Sequence, residues 1–180
     1  MSAASQQIEN SDDGVARGAE ILDTRAFRNA LGVFATGVAV ATTLAADGTP
    51  IGITVNSFTS VSLVPPLVLI SVGRSNLSFP QFQRCRHFAV NVLSADQRGI
   101  SQRFAVTSED KWRDIPVRAG AFGCPIFDTA LAVFECKVER RNKAGDHTIL
   151  LGRIVAFNSR QQGEPLIFYR GAYERLSDRR

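Results

Sequence analysis

Residues 38–55, VAVATTLAADGTPIGITV, show a period of two on both sides of a turn signal. The alternating positions are Val38, Val40, Thr42, Leu44, Ile51, Ile53 and Val55. Asp47-Gly48 stands between the two halves, and this dipeptide is a strong signal for a two-residue hairpin turn. Because a period of two indicates strands, the stretch predicts a β-hairpin.

Further strands are predicted outward from this hairpin. A continuous apolar run, 67–72, follows Pro65-Pro66 and indicates a buried strand. Other strand-like runs cover 88–93, 131–139, 147–157 and 166–169, and the two long ones join around 142–145. Together these runs give six or seven strands. Strands and helices do not alternate regularly, which disfavours a doubly wound parallel sheet. We therefore expect a mainly β protein whose antiparallel strands form a closed or partly closed barrel.

Two or three short helices should flank the strands. Asp23 or Thr24 can cap the first helix, which should end at Gly37. A second helix is expected near 78–80, and the capping-box pattern at 94–97 predicts a third. The stretch 107–125 is charged and contains glycine and proline, which predicts a long ordered loop. The first helix's stripe consists of Phe27, Ala30, Leu31 and Phe34.

Length and composition favour one globular domain. The chain has 180 residues, of which 44% are hydrophobic and 21% charged. We place the domain at 21–176, after a disordered polar arm at 1–20 and before a short tail at 177–180.

Charge and cysteine usage restrict partners and location. The net charge of +4 comes from basic residues spread along the chain, which argues against nucleic-acid binding. The three cysteines form no CxxC pair, so a reducing compartment is expected. With no stretch that reads as a membrane span or signal peptide, we expect a cytoplasmic protein without a membrane partner.

Several enzyme classes lack their motifs in this sequence. GxGxxG, GxxxxGK[ST], HExxH and GxSxG are all absent. The only histidines are His87 and His147, and no ligand cluster has metal-site spacing, so no metal is expected. An enzyme built from this chain would therefore take its reactivity from a cofactor.

The most unusual segment is 52–63, GITVNSFTSVSL. Strand-like residues pass into a bend dense in hydroxyl groups before the next buried strand. Such a bend offers N–H and O–H donors to a polar ring edge or a phosphate. A serine-rich surface connection is the alternative reading of the same composition.

This segment resembles the flavin-binding stretch of the flavin reductase-like family. Four other stretches resemble the family in the same order, and together they span about 27–173: residues 36–42 (TGVAVAT), 88–93 (FAVNVL), 144–152 (AGDH and its strand) and 165–171 (PLIFYRG). The resemblance implies a split β-barrel of the FMN-binding type and a homodimer. It also implies FMN or FAD as bound flavin and NADH or NADPH as hydride donor.

The resemblance also implies site residues. The residues expected to contact the flavin rings and the ribityl chain are Asn56, Ser57, Phe58, Thr59 and Ser60. The residues expected near the flavin phosphate are Ser62, Arg74, Leu77, Ser78 and Phe79. Glu109 and Asp110, with Lys111 and Trp112, match a loop beside the flavin, where the family more often has Phe at the Trp112 position. Phe168, Tyr169, Arg170 and Gly171 match a nicotinamide-side segment.

His147 is the predicted catalytic residue. A histidine that follows Gly-Asp at a strand start is commonly structural, but the resemblance implies a position beside flavin and nicotinamide. His87 precedes a strand and is expected at the surface or in packing.

The function that follows is an NAD(P)H-dependent flavin reductase that supplies reduced flavin to a partner monooxygenase. Two alternatives stay open at this point. One is a flavin-binding electron carrier or storage module without a nicotinamide site. The other is a nonenzymatic β-barrel interaction domain.

Overall fold

The computed structural model describes residues 23–108 and 111–176. Its helices are α1 (Thr24–Leu31), α2 (Phe79–Arg84) and α3 (Arg98–Ala105), with a 3₁₀ turn at Ala95–Gln97. Its strands are β1 (Thr36–Gly37), β2 (Ala39–Leu44), β3 (Pro50–Val55), β4 (Thr59–Leu63), β5 (Pro66–Gly73), β6 (His87–Val92), β7 (Val117–Ala119), β8 (Pro125–Phe127), β9 (Ala132–Ala144), β10 (His147–Ser159), β11 (Ile167–Tyr169) and β12 (Ala172–Glu174). The expected arm at 1–20 and tail at 177–180 lie outside these residues.

Seven strands form one antiparallel sheet in the order β3-β2-β6-β9-β10-β5-β4. The strands at its two ends, β3 and β4, follow each other in the chain and are joined by residues 56–58. A connection this short requires the sheet to curl until its ends come close. This curled sheet confirms the predicted mainly β, antiparallel fold with short helices.

Strand β2 lies in the middle of the fold and is buried on both faces. Ala39 and Ala41 face a cluster that includes Ile53, Ile70 and Leu150 from three other strands. Val38, just before β2, and Val40 face a second cluster around Phe104 and Phe127, which α3 and β8 contribute. The alternation predicted from the sequence therefore separates two cores, one inside the curled sheet and one outside it.

The first helix ends earlier than predicted. It stops at Leu31, and the N–H of Gly32 closes its last turn on the carbonyl of Arg28 at 2.9 Å. Phe34 lies beyond the helix and is 78% exposed, so it does not extend a buried stripe. Gly37, expected as the helix end, belongs to β1 and pairs with β11.

Other element predictions were wrong in instructive ways. The second half of the predicted bend forms the edge strand β4, because its backbone pairs with β5. The predicted loop 107–125 contains β7, which forms a hairpin with β8. Strands β9 and β10 leave only Gly145 and Asp146 between them, so the turn is tighter than the predicted 142–145. Twelve strands occur within 23–108 and 111–176, since β1, β7, β8 and β12 are too short to read from periodicity.

No helix within these described stretches is long and apolar enough to cross a membrane.

Candidate functional site

The site begins at the junction between β3 and β4, the two edge strands of the sheet. The hydroxyl of Ser57 accepts a hydrogen bond from the N–H of Ser71 at 2.9 Å and donates to its carbonyl at 3.2 Å. One side chain thus replaces a backbone pair and ties the junction to β5. Asn56, the residue before it, is exposed and stays available to a ligand.

His147 is the first residue of β10 and lies close to this junction. Its Nδ1 lies 2.7 Å from Oδ1 of Asp146, and its side chain is 48% exposed. That hydrogen bond, together with the charge interaction between the two residues, lowers the pKa of the Asp146 carboxyl. An ionised carboxylate can only accept, so Nδ1 carries the proton and Nε2 stays free for a ligand.

Gly73 stands opposite His147 in the β5–β10 pairing. A Cβ added there would lie 3.5 Å from Nε2 of His147, within van der Waals contact. The missing side chain therefore leaves one flank of the imidazole open. The neighbouring N–H of Arg74 donates to the carbonyl of Asp146 at 2.8 Å and holds the turn in place.

A central cleft of about 430 Å³ surrounds these groups. Its wall comes from the end of β3, the junction, the end of β5 and the β9–β10 turn, and one helix residue, Arg28, closes it. Backbone groups, Asn56, Ser57 and His147 give this wall a polar character. The arrangement can hold a flat, polar group against the imidazole while the rest of that group stays accessible.

A second cavity, the Trp112 cleft, adjoins the central cleft at Asn76 and has about 270 Å³. The side-chain carbonyl of Asn76 accepts from the N–H of Ser78 at 2.8 Å, which shapes the turn before α2. Lys111 also lines it, and burial lowers the pKa of its ammonium. The Trp112 ring packs edge-on against Phe104, with ring centres 4.8 Å apart.

A third cavity, the α1 cleft, adjoins the central cleft on the other side and has about 670 Å³. It shares Arg28 and Asn56 with the central cleft. Its opposite wall is the β11–β12 turn, where Arg170 (φ 49°) and Gly171 (φ 80°) adopt the left-handed backbone of a tight hairpin. The N–H of Arg170 donates to the carbonyl of Gly32 at 2.8 Å, which fixes the turn against α1.

The structure brings many of the predicted site residues to these clefts. Those that line a cleft are Asn56, Ser57, Leu77, Ser78, Lys111, Trp112, His147, Phe168, Arg170 and Gly171. Segments that are far apart in the sequence therefore meet at the central cleft and the two clefts that adjoin it.

The remaining predicted residues lie elsewhere. Phe58 and Phe79 pack against the inner core. Thr59, Ser60 and Ser62 lie on the edge strand β4 and line none of the three clefts. Arg170 places its guanidinium 5.2 Å above the ring of Tyr169, which itself lines no cleft. Glu109 and Asp110 lie outside the described residues.

Sequence reasoning missed Arg28 and gave no role to Gly73. The pattern of the first helix marks only its apolar positions, and a single arginine between them carries no local signal. Gly73 lies one residue beyond the predicted strand 67–72, and in the structure it ends β5. The pairing of Gly73 with His147 depends on the register between β5 and β10, which no local pattern encodes.

The residues present fit a flavin and a nicotinamide. The central cleft has an open imidazole flank that a Cβ at Gly73 would fill, and hydrogen-bonding groups converge there. The adjoining clefts supply room and positive charge, from Lys111 on one side and from Arg28 and Arg170 on the other. Planar rings joined to phosphates need this combination of a slot and nearby cations.

Comparison with known proteins agrees with this geometry. The chain is 47% identical over 86% of its length to a probable flavin reductase of Rhizobium meliloti, and it spans half of that protein's length. It is 46% identical over 86% of its length, and 87% of the relative, to the FMN reductase (NADH) SmoA of Agrobacterium fabrum. Other relatives are reductase components or subunits of flavin-dependent monooxygenases.

A solved structure shares the fold. It is the NADH:FAD oxidoreductase SgcE6 of Streptomyces globisporus in complex with NAD and FAD fragments, with a TM-score of 0.81 and 37% identity over 88% of this chain and 98% of that one. The flavin reductase like domain family matches residues 31–177. The resemblance predicted from the sequence is confirmed: the chain belongs to the flavin reductase-like family.

Proposed function

We propose that the chain is an NAD(P)H-dependent flavin reductase that passes a hydride from NADH or NADPH to FMN or FAD. The observation that carries this proposal is the open His147 imidazole in a cleft that adjoins two cation-bearing clefts. When both are bound, the nicotinamide supplies the hydride and the flavin accepts it. The chain itself has to align the two rings and stabilise the charge that develops on the reduced flavin.

His147 is the proposed catalytic residue. Asp146 holds its Nδ1–H, so the ring keeps one orientation and presents Nε2 towards the cleft. Asn56 and the backbone of the junction are proposed to hold the polar edge of the flavin. The Ser57 hydroxyl is proposed to act through the junction, because its hydrogen bonds go to Ser71.

The phosphate and nicotinamide assignments also remain proposals. We assign Leu77, Ser78 and Lys111, which line the Trp112 cleft, to the flavin phosphate side. We assign Phe168, Arg170 and Gly171, which line the α1 cleft, to the nicotinamide side. Contacts of Thr59, Ser60 and Ser62 with flavin would need a ligand that extends along β4. Contacts with flavin or nicotinamide stay predictions for five further residues, which are Phe58, Phe79, Tyr169, Glu109 and Asp110.

Assembly and location belong to the same proposal. Reductase components of two-component monooxygenases among the relatives support a partner monooxygenase that receives the reduced flavin. The exposed apolar side chains Phe27, Leu31 and Phe34 support a homodimer, because burial would remove them from water. The three free thiols support a cytoplasmic location.

The test is steady-state oxidation of NADH and of NADPH, each with riboflavin, FMN and FAD in turn. Rapid oxidation that requires added flavin is the expected result. Flavin binding without nicotinamide oxidation would favour the electron carrier or storage module instead. A colourless protein that ignores every flavin would favour the interaction domain.

A further inference from the structure

Arg28 is placed where two cavities meet. It lines both the α1 cleft and the central cleft, and of the other residues only Asn56 does the same. Within residues 23–108 and 111–176 its guanidinium has no hydrogen-bond or ion-pair partner. A guanidinium left unpaired at a cavity junction is available to a ligand, and its planar fork of N–H donors suits two oxygens of a carboxylate or a phosphate.

The charges around Arg28 favour an anion in the α1 cleft. The charged side chains that line this cleft are Arg28 and Arg170, and none of its lining residues is acidic. Asp146, in the central cleft, is a carboxylate within reach of the charge of Arg28, which adds to the lowering of the pKa of that carboxyl. That carboxylate makes its side-chain hydrogen bond with His147.

The backbone holds the end of α1 close to the β11–β12 turn, on which Arg170 lies. Gly32 follows α1, and its carbonyl accepts the N–H of Arg170 at 2.8 Å. A Cβ on Gly32 would lie 3.3 Å from the carbonyl oxygen of Arg28 and 3.4 Å from Cα of Arg170. The end of α1 and the β11–β12 turn therefore approach each other closely, and together they wall the cleft.

We propose that Arg28 binds the pyrophosphate of the nicotinamide dinucleotide and so directs its nicotinamide end from the α1 cleft towards His147. The inference rests on the proposed reductase function and adds a residue that orients the hydride donor. Phe168 and the apolar side chains of the α1 cleft give the rest of the dinucleotide a nonpolar wall. Arg170 supplies a second cation across the same cleft.

The direct test is the dissociation constant for NAD⁺, measured by calorimetry on wild type and variants. Arg28→Gln should weaken binding about tenfold or more, the range expected for a lost charge-assisted hydrogen bond. Arg28→Lys should recover part of the loss because it keeps the charge. Arg25→Gln is the matched control, because Arg25 lies on the same helix and lines neither cleft. An unchanged dissociation constant in Arg28→Gln would overturn the proposal.

Kinetics with a phosphate-free donor separates orientation from general damage. Arg28→Gln should lower kcat/KM about tenfold with NADH and less than about twofold with 1-benzyl-1,4-dihydronicotinamide. Equal losses with both donors would refute a pyrophosphate contact. A loss of FMN affinity without a loss of riboflavin affinity would assign Arg28 to the flavin phosphate and overturn the proposal too. If wild type fails to oxidise NADH, the proposed function fails; if only the Arg28 effects are missing, the inference alone fails.

Discussion

The two histidines of this chain lie in opposite kinds of surroundings. In His147, one ring nitrogen is hydrogen-bonded to Asp146 and the other is free beside Gly73. This ring lies in the central cleft, which two further clefts adjoin. His87 stacks flat on Phe122, with ring centres 3.9 Å apart and planes 2° from parallel. The difference shows that the same residue type becomes a candidate for chemistry only where the fold leaves an atom unoccupied.

Two glycines repeat this contrast. Beside His147, a Cβ on Gly73 would make ordinary contact and fill empty space. Under Phe88, which follows His87, a Cβ on Gly152 would lie 2.5 Å from Cζ of that buried ring. One glycine keeps room for a ligand and the other keeps room for the core, so substitutions at the two regions should affect different properties.

The largest expected effect is on hydride transfer after removal of the His147 imidazole. His147→Ala should slow flavin reduction by NADH about a hundredfold, as for loss of a positioned hydrogen-bonding group near developing charge. Stopped-flow absorbance of the bound flavin under anaerobic conditions measures this rate directly.

The matched control is His87→Ala, which removes the other imidazole. Its reduction rate should stay within about twofold of wild type, because His87 lines none of the three clefts. Equal rates in both variants and wild type would remove His147 from the mechanism. Comparable losses in both would show that the two regions do not differ as described.

A smaller effect, on stability rather than rate, is expected at Gly152. Gly152→Ala should lower the free energy of unfolding by about 1–3 kcal/mol, because the new methyl group overpacks Phe88 and Cys136. Urea unfolding followed by tryptophan fluorescence and circular dichroism gives the change, and Trp112 is the single tryptophan.

Gly99→Ala provides the comparison for that change. Nothing lies within 4 Å of a Cβ at Gly99, which is in α3, so its stability should be unchanged or slightly raised. If Gly152→Ala were as stable as Gly99→Ala, the packing under Phe88 would have to be looser than the distances indicate.

The fold was predictable where a local pattern repeats over many residues. The hairpin of β2 and β3 follows from alternation and Asp47-Gly48, and the capping box at 94–97 forms with both of its hydrogen bonds. The edge strand β4 was not predictable, because its hydroxyl-rich composition suits a loop and only pairing with β5 makes it a strand.

The site was predictable in part, for a related reason. The family resemblance named segments, and the central cleft brings Asn56 and Ser57 together with His147 from two of them. Arg28 and Gly73 could not be read from the sequence. Their positions depend on how α1 packs against the β11–β12 turn and on the register of β5 with β10.

The smallest expected effect is a pH dependence of stability that belongs to His87. Burial, followed by the charges of Lys137 and Arg86, lowers its pKa below the ordinary value of 6.5. As the pH falls, His87 is therefore protonated in the unfolded chain before it is protonated in the folded one. The contribution of His87 to the free energy of unfolding is fully present above pH 6.5 and is lost as the pH drops below that value. His87→Phe keeps a ring on Phe122 but binds no proton, so its free energy of unfolding should fall less than that of wild type between about pH 7.5 and 5.5. Urea unfolding across this range measures both slopes, and parallel slopes would mean that His87 is as easily protonated in the folded chain as in the unfolded one.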